Sequence, residues 1–141
     1  MASSAGPGGQ SGSQDDLTFL EAAMAASALA AFADGTVSGL ERHRIGAIIV
    51  RLQQTRISDS QAALDLLDSY LRDLETDAEA AEGSLTDKIR AIAADRAAAE
   101  LIASIVLTIS QADDAFVYAE KMQFQEICAL LELDPERIAP L

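Results

Sequence analysis

Apolar side chains recur along this chain at the three-and-four spacing of helices. Leu17, Leu20, Met24, Ala28 and Phe32 form one stripe, predicting a helix from about Leu17 to Ala33 that Asp15 or Asp16 caps and Gly35 stops. A second helix is expected from Ser38 to about Thr55, with Leu40, Ile45, Ile48, Ile49 and Leu52 inward. Ser58-Asp59-Ser60-Gln61 has the capping-box pattern and opens a third, whose Leu64, Leu67, Leu71 and Leu74 share one face. Gly83 is expected to end a short stretch after it, and Ser84-Leu85-Thr86-Asp87 to cap a helix carrying Leu85, Ile89 and Ile92. Asp95 caps Arg96 to Ser110, which is hydrophobic nearly all round and therefore expected at the centre. Phe116 to Leu131 reads as the partner of the second helix, and Asp134-Pro135 starts a short final turn.

The pattern repeats. Ala33-Asp34-Gly35-Thr36-Val37-Ser38-Gly39-Leu40-Glu41 returns 79 positions later as Ala112-Asp113-Asp114-Ala115-Phe116-Val117-Tyr118-Ala119-Glu120. Both copies reduce to Ala-Asp-(Gly/Asp)-x-apolar-x-x-x-Glu, with two acids seven residues apart between apolar stretches. The same offset pairs Glu21 with Glu100, Ala30 with Ile109, Arg42 with Lys121, Ile45 with Phe124, Ile48 with Ile127 and Leu52 with Leu131. Core positions fall on core positions. The expected architecture is two pseudo-symmetric helical hairpins packed face to face, with the third and fourth helices inserted between them in sequence.

Composition narrows the class. The chain has 141 residues, a single-domain length; half of it is apolar, only 4% is aromatic, and it holds three prolines. Richness in Ala and Leu with so few aromatic residues favours an all-α domain. Residues 1–14 are Gly/Ser-rich and cannot bury enough surface to offset ordering, so they read as a disordered tail before a domain at 15–141. The stretches Ala22 to Ala33 and Leu101 to Ile109 fall short of the ~20 apolar residues that span a bilayer. No Lys or Arg precedes Arg42, as a signal peptide would need. A cytoplasmic protein without a transmembrane segment is expected. The formal charge of −13 and the lack of a basic stripe argue against nucleic-acid binding, and suit cations or a basic partner.

The matched acids are the candidate chemistry. Asp34 falls at a tight corner and Glu41 one turn inside the next helix, so their carboxylates can face one spot; Asp113 and Glu120 repeat the arrangement. Oxygen-only ligands suit hard cations, Ca²⁺, Mg²⁺ or Mn²⁺. The spacing is not that of an EF-hand loop. A plainer reading stands beside this one: Ser38-x-x-Glu41 is itself a capping box, and Asp34-Gly35 an ordinary turn. The second copy resists it, because Val117 stands where Ser38 stood and Asp114 where Gly35 stood. Capping with solvated acids and a cation site both remain open.

Other residues carry less. His43 is the sole histidine and cannot build a zinc site without three other ligands. Cys128 is the sole cysteine, aligns with core Ile49, and reads as an inert buried thiol. Asp65, Asp68, Asp73, Asp77 and Glu79 read as a solvated face. No Ser/His/Asp or Cys/His constellation and no phosphate loop appears, so the chain is read as non-enzymatic.

The repeated Ala-Asp-(Gly/Asp)…Glu corner, with Leu64-Asp65-Leu66-Leu67-Asp68-Ser69-Tyr70-Leu71 and the run into Ala94-Asp95-Arg96, resembles the TerB family of tellurite-resistance-associated proteins. The resemblance covers roughly Leu17 to Ile138. It implies a compact all-α bundle of about seven helices and an acidic metal-binding cluster, which falls on Asp34, Glu41, Asp113 and Glu120. Asp114 departs from the glycine usual in the family. The expected function is a stress-response module that binds a divalent cation and offers a metal-responsive surface to another protein, including one in a membrane-associated complex. The alternative is a metal-free acidic scaffold.

Overall fold

The computed structural model describes the backbone of residues 6–32, 39–52, 60–111 and 118–141, and the side chains of 17–32, 43, 45–50, 60–111 and 121–141. Among the described residues the chain is all-α: α1 (Gly6–Ala31), α2 (Gly39–Leu52), α3 (Ser60–Thr76), α4 (Ala78–Ala91), α5 (Arg96–Ser110) and α6 (Tyr118–Leu130), then a 3₁₀ turn, Pro135–Arg137. That is six helices and one turn against the seven expected. Helix α1 begins within the segment read as a tail.

The helix ends follow local chemistry. Asp77 caps α4 by accepting from the Ala80 N–H, and Asp95 caps α5 by accepting from Ala98. Asp134 accepts from the Glu136 N–H, with Pro135 opening the turn behind it. Helix α6 closes in a Schellman motif: Leu133 N–H donates to the Cys128 carbonyl and Glu132 N–H to that of Ala129. Glu132 sits in the left-handed region at φ 59°, a place glycine usually takes.

One expectation fails in the middle of the chain. Gly83 does not end a helix, and Ser84 caps nothing: α4 runs unbroken from Ala78 to Ala91. A single exposed glycine costs a helix about 1 kcal/mol relative to alanine. Burial of Ala81, Leu85 and Ile89 on one face, with the Asp77 cap, outweighs that.

The core is built around α1, which packs against all five other helices. Its residues Ala22 to Ala31 are buried without a break. The alanine-rich sequence explains how: small side chains let five helices close on one axis. Among the described residues, helix α5, expected at the centre, packs only against α1, α2 and α6. It leaves Glu100 exposed and Ser104 and Thr108 half-buried. The difference lies in α3 and α4, which pair with each other and lie on α1 rather than on α5. Helices α2 and α6, equivalent in the repeat, do not touch among the described residues; the two hairpins meet crosswise, α1 on α6 and α2 on α5.

The duplicated core positions match. Ile45 and Phe124, Ile48 and Ile127, Ile49 and Cys128, and Ala30 and Ile109 are all buried.

Candidate cation site

Helix α1 ends at Ala31 and α5 at Ser110, separated by the offset that aligns the acids in sequence. Glu41 and Glu120 both lie on helical backbone, in α2 and α6. Their side chains, and the whole of Asp34 and Asp113, lie outside the described residues, as does Asp114.

The frame around the corners is described. The end of α4 reaches the middle of α1, where Thr18 and Glu21 line a cavity with Ser84, Asp87, Lys88 and Ala91. A short turn closed by Ile92 N–H to Ile89, Ala93 N–H to Arg90 and Asp95 N–H to Ile92 hands the chain to α5.

Few described groups have the makings of a reactive site. No set of three or more His, Cys, Asp and Glu among the described residues is arranged to hold a metal ion, and none of the four repeat acids has its side chain within that set. His43 is exposed. Cys128 is fully buried; burial, then the Asp134 carboxylate, pushes its thiol up to about 11. It is protected from thiolate chemistry. Burial, with Glu21 and Asp73 adding to it, raises the Tyr70 phenol to about 12, while the Lys88 ammonium lies 6.0 Å from its ring centre. Ser110 is the buried polar side chain nearest the second corner, and its hydroxyl has no partner among the described residues. Of the five acids read as a solvated face, Asp65, Asp73 and Glu79 are exposed, Asp68 is half-buried, and Asp77 is the cap of α4.

Sequence reasoning missed Arg96. Its guanidinium donates to the carbonyls of Ala93 (2.9 Å), Leu131 (3.0 Å) and Glu132 (2.8 Å). One side chain thus ties the α4–α5 turn to the end of α6, satisfying carbonyls that a helix end leaves open. The first repeat has Leu17 at the matching position, so it has no such tie. The run Asp95-Arg96 at a helix start was visible, but the Leu131 and Glu132 carbonyls it reaches lie 35 and 36 residues away.

An all-α domain built on a duplicated helix pair, with acids at matched corners, defines the class. The family model described as "Tellurite resistance protein TerB" matches residues 20–141. The chain belongs to the TerB family. No curated protein and no solved structure matches it.

Proposed function

We propose that this TerB-family domain is a non-catalytic module that binds a divalent cation, Ca²⁺, Mg²⁺ or Mn²⁺, through Asp34, Glu41, Asp113 and Glu120. It works in the cytoplasm, in a stress response of the tellurite-resistance kind. The observation that carries the reading is the common register of the repeat: the ends of α1 and α5 and all four acids recur at one offset. Capping alone gives no reason for that register to be kept where Val117 has replaced Ser38. A cation shared by the four acids would pin the two hairpins together, so its loss would alter the surface offered to a protein partner. Calorimetric titration with each of the three ions, on the native chain and on Asp34→Asn/Asp113→Asn, tests this. Heat and a Tm rise in the first that vanish in the second support the site; silence from every ion ends it.

One observation favours a second reading. Asp73, Glu75, Asp77, Glu79 and Glu82 are all exposed around the junction of α3 and α4, an acidic surface suited to a basic protein partner. On this reading, partner capture weakens steeply with salt and survives substitution of all four repeat acids. Capture lost with those acids at constant salt would return the decision to the cation.

A further inference from the structure

One helical face continues across the junction of α3 and α4. Asp73, Thr76, Asp77, Ala80, Ala81 and Ser84 follow one another at the three-and-four spacing, although Asp77, at φ −150° and ψ 87°, interrupts the helix between them. The interruption is tight. The Asp77 N–H donates to the Asp73 carbonyl at 2.9 Å, and the Ala81 N–H to the Asp77 carbonyl at 3.0 Å. The face therefore bends at Asp77 rather than ending there, and those six residues line a cavity of about 290 Å³.

The chemistry of this slot is divided. Ala80 and Ala81 line it with methyl groups, Asp73 and Asp77 with carboxylates, and none of its lining residues is basic. The Asp77 carboxylate accepts from the Ala80 N–H at 3.3 Å, which fixes it at the bend. Glu75, Glu79 and Glu82 are exposed around the same junction. Asp73 and Glu75 also stand in the last turn of α3, which holds no basic residue. The carbonyl end of a helix attracts cations, and acids placed there deepen its negative potential. Charge, shape and an apolar lining thus call for one long cationic side chain.

We propose that this slot receives a lysine side chain from a basic segment of a partner protein. The inference rests on the reading of the acidic surface as a partner-binding face, and it names what is bound there. The aliphatic stem lies on Ala80 and Ala81, as lysine stems cover apolar surface while the head stays polar. The ammonium, with its three donors, meets the Asp73 and Asp77 carboxylates. Arginine fits less well, because Asp77 commits one carboxylate oxygen to the cap and no longer offers the pair that a guanidinium fork takes. Glu75, Glu79 and Glu82 attract the basic residues on either side of that lysine.

The test uses the full chain at low salt and a fluorescent octapeptide of alternating lysine and serine. Asp73→Asn/Asp77→Asn removes both carboxylates while asparagine keeps the cap, and should weaken peptide binding at least tenfold. Asp65→Asn/Glu126→Gln takes the same charge from exposed positions outside the slot and should weaken it less than twofold. Ala80→Leu fills the slot at an exposed helical position with no change in charge, and should weaken binding several-fold. That variant decides should the aspartate pair fail to fold. Equal losses from the two acid pairs, or full binding by Ala80→Leu, overturn the slot and leave the acidic surface as the binding face. No binding to the native chain overturns both. Free spermidine that binds as tightly as the peptide, and is lost with the same aspartates, overturns the assignment to a protein segment.

Discussion

Helices α1 and α5 occupy equivalent places in the repeat, yet they are built differently. Helix α1 is closed on by five helices, and seven of the ten residues in its buried run Ala22 to Ala31 are alanine. Helix α5 has three helical neighbours and fills its contacts with Ile102, Ile105, Val106, Leu107 and Ile109. Neighbours close at hand demand small side chains, and fewer neighbours leave room for large ones. Helices α3 and α4 lie on α1 and not on α5 among the described residues, and that makes α1 the axis of the domain.

The sharpest way to break this contrast is to place one large side chain at equivalent positions. Ala25→Leu inserts three carbon atoms where nothing is exposed, and should cost about 3 kcal/mol. Ser104→Leu lies on the half-covered face of α5 and should change stability by only about 0.5 kcal/mol. Urea denaturation of both variants measures the difference. Equal costs would contradict the asymmetry.

A second contrast is chemical. The buried position that Ile49 fills in the first copy holds the Cys128 thiol in the second. Its value of about 11 against an ordinary 9.0 means the folded state keeps the proton longer than the unfolded chain. The associated stability is complete below pH 9 and is lost as pH rises towards 11, about 2–3 kcal/mol for a two-unit shift. Cys128→Val should flatten the fall in Tm between pH 8.5 and 10.5. It should leave the later fall that Tyr70 causes between about 10 and 12. A curve unchanged by the substitution would remove the thiol from the account.

The smallest effect concerns the inserted pair. A Cβ at Gly83 would meet nothing within 4 Å, in mid-helix. Gly83→Ala should therefore stabilise the domain by about 1 kcal/mol, read as a Tm rise of a few degrees. A loss of stability would mean that α4 needs a break there after all.

Gly83 also marks a limit of the sequence. The start of α5 at Asp95, its end at Ser110 and the turn at Asp134-Pro135 could be read directly, because caps and apolar periodicity are local signals. The continuity of α4 could not, because the burial of Leu85 and Ile89 that outweighs the glycine is a property of the packed bundle. Nor could the centre: α5 is the more hydrophobic helix, but which helix α3 and α4 cover is decided by tertiary packing. The bond from the Leu141 N–H to the Thr108 hydroxyl was hidden for the same reason, since the two meet only in the fold. The candidate site was legible as a repeat; Glu41 and Glu120 lie on helical backbone, while the four carboxylates lie outside the described residues.

The most direct test of the central claim is calorimetric titration of the metal-free native chain with Ca²⁺, Mg²⁺ and Mn²⁺, followed by the same titration of Asp113→Asn and of Glu120→Gln. The account predicts that at least one ion binds with measurable heat. At about a hundredfold excess over its Kd that ion should stabilise the fold by about 2.7 kcal/mol, and each substitution should weaken binding at least tenfold. Binding that survives both substitutions, or no heat from any ion, would contradict a cation held by the second acid corner.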